Sequence, residues 1–159
     1  MQLTVAQHQL SERFHMKNEK IVKGFSDESP VTVVIGHSVE EVSEATSDIL
    51  HRLSEMKPVS ITESNDYLDH NGDVNTPVVA TGNYESFDDI GIAEYVTLER
   101  IIKEGVAKNV VAVVGVVSQR NSVESITHAR GLRRLVLDNA LVLDSGYAMT
   151  MFSKESTES

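Results

Sequence analysis

At 159 residues the chain has the length of one domain that buries well over half of the surface its unfolded form exposes. Hydrophobic residues at 40% and charged residues at 24% give an ordinary globular balance, and no apolar run approaches the roughly 20 residues that span a bilayer. The 14 basic and 24 acidic residues leave a net charge of −10, which opposes nucleic acid and anionic lipid, and the lack of cysteine excludes disulfides, thiolate metal sites and a cysteine nucleophile.

The N-terminus is polar and carries no signal-like apolar stretch, which predicts a cytoplasmic protein. Residues 1–30 read as an appendage, helical or partly disordered, with Val5, Leu10 and Phe14 loosely spaced for a short helix. Regular structure is predicted to begin at Val31-Thr32-Val33-Val34-Ile35, a β-branched run ended by Gly36, as in a buried strand. Val39, Val42, Ala45, Ile49, Leu50, Leu53 and Met56 then recur at spacings of three and four, one apolar face of a helix. Ser38 with Glu41 three residues on is the pattern in which a serine oxygen and a glutamate satisfy each other's free backbone N–H groups.

Val59–Thr62 predicts a second strand and Pro77–Thr81 a third, with a polar stretch turning at Asn71-Gly72-Asp73 between them. A helix is expected from about Phe87 to Lys103, with Ile90, Ala93, Val96, Ile101 and Ile102 apolar and Gly105 closing it. Val110–Val114 is the most hydrophobic strand, expected at the centre and ended by Gly115. A polar loop, Ser118–Ser122, leads into one helix bearing Val123, Ile126, Ala129, Leu132, Leu135 and Val136, and Ala140–Leu143 is the last strand. Residues 31–152 are thus one α/β domain, and 153–159 a disordered tail.

Strands alternating with helices predict a three-layer domain with a mostly parallel sheet of about five strands and helices on both faces. Ligands collect at the carboxyl ends of such strands, which nominates Gly36–Ser38, Thr81–Ser86 and Gly115–Ser122.

Taken in order, these loops resemble the NADPH-dependent FMN reductase family of the flavodoxin-like fold, over roughly Val78 to Leu143. The second loop, Thr81-Gly82-Asn83-Tyr84-Glu85-Ser86, is similar to the family's Thr-Pro-Glu-Tyr-Asn type, and the third, Gly115-Val116-Val117-Ser118-Gln119-Arg120, to its Gly-x-Ser-x-Gly-Arg type. The resemblance implies a flavodoxin-like or Rossmann-like domain that binds FMN, takes hydride from NADPH or NADH, and passes it to a quinone, free flavin or similar small-molecule acceptor. It implies Gly36, His37 and Ser38 at the flavin phosphate and Asn83, Tyr84, Glu85, Ser118 and Arg120 at the ring, and a homodimer or homotetramer. The cofactor carries the redox step in such a site, so no catalytic acid or base is assigned.

The first loop departs from the family's Gly-Ser-x-Arg, reading Gly36-His37-Ser38-Val39-Glu40-Glu41, with two carboxylates where a phosphate would approach. Gly82 replaces a proline and Gln119 a glycine. Two other expectations follow: a non-enzymatic binding or regulatory subunit with a decayed phosphate loop, or phosphoryl transfer through His37. His8, His15, His51, His70 and His128 show no paired metal-ligand spacing, Asp66, Asp69 and Asp73 do not complete a calcium loop, and Arg130, Arg133 and Arg134 read as a solvated helix face. The dinucleotide and nucleoside-triphosphate glycine fingerprints are absent.

Overall fold

The structure, a computed structural model, describes residues 29–56, 60–63, 78–108 and 110–152. The N-terminal appendage up to residue 28, the Asp66–Asp73 turn and the polar tail lie outside the described residues.

Five strands form one all-parallel sheet in the order β2-β3-β4-β1-β5: β1 (Val31–Gly36), β2 (Ser60–Glu63), β3 (Val78–Tyr84), β4 (Val110–Val117) and β5 (Leu141–Asp144). Every residue of β1 is buried, and β4 is buried through Val116, as strands covered on both faces require. Successive side chains point to opposite faces, so each strand feeds two cores. Val31, Val33, Ile35, Ala112 and Val114 pack with Tyr95, Leu98 and Ile101 of α2 (Ile92–Lys108) and Val136 and Leu137 of α4 (Gly131–Asp138). On the other face Val34, Val111, Val113 and Leu143 pack with Ala45 and Ile49 of α1 (Val39–Met56) and Ala148 of α5 (Ser145–Phe152). A short α3 (Ser122–His128) stands between β4 and α4. This is the expected three-layer, doubly wound α/β architecture of the Rossmann-like class, with β4 at the centre of the sheet. Its strand order differs from the 2-1-3-4-5 of flavodoxins. Among the described residues no helix is long and apolar enough to cross a membrane.

Several elements differ from their predicted bounds, each for a visible reason. β3 does not end at Thr81, nor β4 before Gly115: the two stay paired through Asn83↔Gly115 and Tyr84↔Val116. Gly115 is therefore a mid-strand residue, and its reason is close approach. A Cβ there would overlap the Val42 side chain and stand 2.5 Å from Asn83 Oδ1. At Gly36 a Cβ would stand 2.9 Å from Val42 Cγ2 and 2.7 Å from Ser145 Oγ. Two bare strand positions thus let α1 settle directly on the sheet.

The helix expected from Phe87 is a 3-10 turn (Phe87–Asp89) followed, after Gly91, by α2, which continues through Gly105 to Lys108. The helix expected across Val123–Val136 is two helices, because Ala129 and Arg130 are extended between them and Gly131 opens the second with a left-handed φ of +59°. The break turns α4, so Val123 and Leu135 are exposed while Ile126, Ala129, Val136 and Leu137 are buried. On α2 likewise Val96 and Ala93 face outward, and Tyr95, Leu98 and Ile101 carry the burial.

Candidate functional site

The carboxyl ends of β1, β3, β4 and β5 meet at one end of the sheet, and the β4 loop divides that end into two clefts. The first, of about 390 Å³, lies between the β3 and β4 loops and is lined by Glu85, Ser86, Phe87, Asp88, Val117, Ser118, Gln119, Arg120, Ser125, His128, Ala129 and Arg133. The second, of about 430 Å³, lies between β1 and β5 and is lined by Ile35, Gly36, His37, Glu41, Arg120, Asn121, Asp144, Ser145, Gly146 and Met149. Arg120 borders both.

The β1 loop is two residues long, His37 and Ser38, and is closed by hydrogen bonds. Ser38 caps α1 by accepting the Glu41 N–H at 3.2 Å. Glu41 reciprocates one residue further back than a capping box requires: its Oε2 accepts the His37 N–H at 3.1 Å, and Ser145 Oγ approaches the same oxygen at 3.5 Å. The β1 and β4 loops are joined as well. Ser118 N–H donates to Gly36 O at 2.8 Å, and His37 Nδ1 lies 3.1 Å from Ser118 O, a contact that requires the proton on Nδ1 and leaves Nε2 as the basic nitrogen of the neutral ring.

The remaining predicted residues divide. Asn83 faces α1, where its Oδ1 accepts from Thr46 Oγ1 at 3.1 Å, so it serves helix docking. Tyr84 lies back over Gly82, against the core shared with α2 and α4, and borders neither cleft. Ser38 also borders neither. Gly36 and His37 line the β1–β5 cleft, Glu85 and Ser118 the β3–β4 cleft, and Arg120 both. The eight residues therefore do not form one surface.

Sequence reasoning missed two clusters. Asp144 Oδ1 accepts from Ser122 N at 3.1 Å and Ser122 Oγ at 2.6 Å, tying the end of β5 to the start of α3. The rule that nominated the first three strand ends, applied to β5, points to Asp144 and Ser145. The second cluster centres on Arg133, which is not solvated as expected. Its cation lies 5.1 Å from the Phe87 ring centroid and 6.0 Å from that of Tyr95; Nε donates to Tyr95 Oη at 3.1 Å and Nη2 to Asp88 Oδ1 at 3.0 Å. Burial works to lower the Arg133 pKa, but the Asp88 and Tyr95 contacts outweigh it and hold the guanidinium above its ordinary value. Burial holds the Tyr95 phenol above its ordinary 10.0, with Arg133 acting in the opposite direction. No sequence spacing joins residues 45 positions apart. Arg134 pairs with Asp138, and Arg130 donates to the carbonyls of Thr127 and Ala129 across the helix break.

No group of three or more histidine, aspartate or glutamate side chains among the described residues is placed to hold a metal ion. No protein-family model, no curated protein and no solved structure matches the chain.

Proposed function

We propose that this chain is a non-enzymatic binding or regulatory domain, built on a doubly wound α/β scaffold whose phosphate position is closed by its own side chain. One observation carries the reading: the Glu41 carboxylate accepts the His37 N–H at the mouth of α1. A phosphate at a strand-to-helix turn draws on the loop and first-turn N–H groups, and here the His37 N–H is taken by Glu41 and the Glu41 N–H by Ser38. Here the connection offers only two residues, and Glu40 and Glu41 fill the first helical turn.

The magnitudes agree. A helix terminus favours an anion by about 0.3–1 kcal/mol at the surface. Each carboxylate at about 4 Å opposes a unit of negative charge by about 1 kcal/mol in water and more as water is excluded. Two carboxylates outweigh the terminus.

The test is to incubate the purified chain with excess FMN, desalt it and record its visible absorption. The expected result is a colourless protein that leaves FMN fluorescence unchanged on titration. Flavin bands retained in stoichiometric amount overturn the reading.

One observation favours a second reading. Glu85, Ser118 and Arg120, from the two ring loops of the resemblance, do line one cleft. On that reading the chain is a cytoplasmic FMN-dependent NAD(P)H oxidoreductase, working as a homodimer or homotetramer and passing hydride to a small acceptor. Retained flavin together with flavin-dependent NADPH oxidation is its signature.

A further inference from the structure

The β3–β4 cleft has the composition of a site for a small organic anion. Arg133, though cationic, is spent: two aromatic rings, Tyr95 Oη and Asp88 fix it in place. Arg120 is in the opposite condition. Its backbone N–H donates to Ser118 Oγ at 3.1 Å and its carbonyl accepts from Ser125 Oγ at 3.4 Å, so the residue is anchored at both ends. Its guanidinium makes no hydrogen bond or ion pair among the described residues. In a chain of net charge −10, an anchored arginine with all five donors unspent at the rim of a cleft is a standing anion receptor.

The other lining residues narrow the anion. Phe87, Val117 and Ala129 supply an apolar wall beside the hydroxyls of Ser118 and Ser125. A guanidinium fork matches a carboxylate through two parallel hydrogen bonds. Glu85 lines the same cleft with its carboxylate unpaired among the described residues, and repels a ligand in proportion to its charge. Phosphate and polycarboxylates are therefore disfavoured, while a single carboxylate on an apolar body satisfies both walls. The volume of about 390 Å³ falls at the lower end of the range for small-molecule sites.

We infer that this cleft binds a small monocarboxylate with an apolar body, the carboxylate on Arg120 and the body against Phe87, Val117 and Ala129. The inference rests on the reading of the chain as a binding domain and names its ligand class.

The experiment titrates the full chain with benzoate, benzyl alcohol and inorganic phosphate, following backbone ¹H–¹⁵N shifts. The expected result is saturable benzoate binding that moves Ser118, Arg120 and Ser125, with no saturation by the other two. Arg120→Gln weakens benzoate roughly 10- to 100-fold, the worth of a charge-assisted hydrogen bond, while shift dispersion shows the fold intact. Glu85→Gln tightens benzoate about 2- to 5-fold, the scale of an exposed charge interaction. Non-saturable benzoate shifts, an unchanged affinity in Arg120→Gln, or tighter binding of phosphate than of benzoate overturns the site. FMN retention overturns the non-enzymatic reading, and FMN retention without saturable benzoate binding overturns the monocarboxylate site with it. A chain that holds neither FMN nor benzoate overturns the monocarboxylate site alone.

Discussion

Gly115→Ala adds one methyl group at the most crowded contact between α1 and the sheet. The new Cβ would overlap the Val42 side chain, stand 2.5 Å from Asn83 Oδ1 and 3.0 Å from Thr46 Cγ2, and β4 is central, so the strand cannot yield without disturbing both neighbours. Overpacking of this kind costs about 1–3 kcal/mol, and three simultaneous contacts place the change near the upper end, about 3 kcal/mol. At about 2–4 °C per kcal/mol for a chain of this size, the melting temperature should fall by about 6–12 °C. Val42→Ala alone loses about 2 kcal/mol, from two methyl groups at about 0.8 kcal/mol each plus the cavity. It also removes the worst contact, so the double variant should lose no more than about 3 kcal/mol instead of the additive 5 or so. Urea denaturation of the four proteins measures the cycle. Additivity within about 0.5 kcal/mol, or a Gly115→Ala protein as stable as the parent, refutes the docking of α1 on the bare strand.

Gly131→Ala meets no atom within 4 Å, so its effect is conformational: about 1–2 kcal/mol of left-handed strain, less about 0.4–1 kcal/mol of unfolded-state entropy, a net loss near 1 kcal/mol by denaturation. Thr32→Val should raise stability by about 1 kcal/mol in the same assay, because the buried Thr32 Oγ1 has no hydrogen-bond partner among the described residues. For Tyr95 the folded pKa is raised, so its contribution is complete below pH 10 and is lost as pH rises through the folded value. Absorbance at alkaline pH should show a tyrosine titrating above 10 that disappears in Tyr95→Phe. That variant also loses the hydrogen bonds to Phe87 O and from Arg133, about 1 kcal/mol in total stability at neutral pH.

The β1–α1 unit was legible because its signals are local: a β-branched run, a serine cap and apolar spacing confined to one stretch of chain. The carboxyl ends of β3 and β4 were misjudged for the converse reason. Gly82-Asn83 and Gly115 carry turn-like identities, yet parallel pairing and the descent of α1 onto the sheet determine their conformation. α5 went unpredicted because Gly146, Tyr147 and Thr150 are indifferent helix formers and the segment is held by packing between α1 and the sheet. At the site, proximity to a strand's carboxyl end nominated three loops, whose Gly36, His37, Glu85, Ser118 and Arg120 line the two clefts. It could not tell which way Asn83 and Tyr84 face, since that follows from strand continuation, and it could not see Arg133, whose placement depends on the helix break at the extended Ala129 and Arg130.

The two-residue link between β1 and α1 also governs how such a chain can change over generations. Replacing Glu40 or Glu41 alters charge in a single step, yet the backbone still passes directly from strand to helix with too few amide groups to enclose an anion. Any side chain at Gly36 would meet Val42 and Ser145, so this link has no room to bulge. A phosphate-wrapping loop at this position would therefore call for inserted residues and a displaced helix together, beyond the reach of single point mutations, while exchanges at Glu85, Phe87 or Arg120 alter the lining of the β3–β4 cleft one substitution at a time.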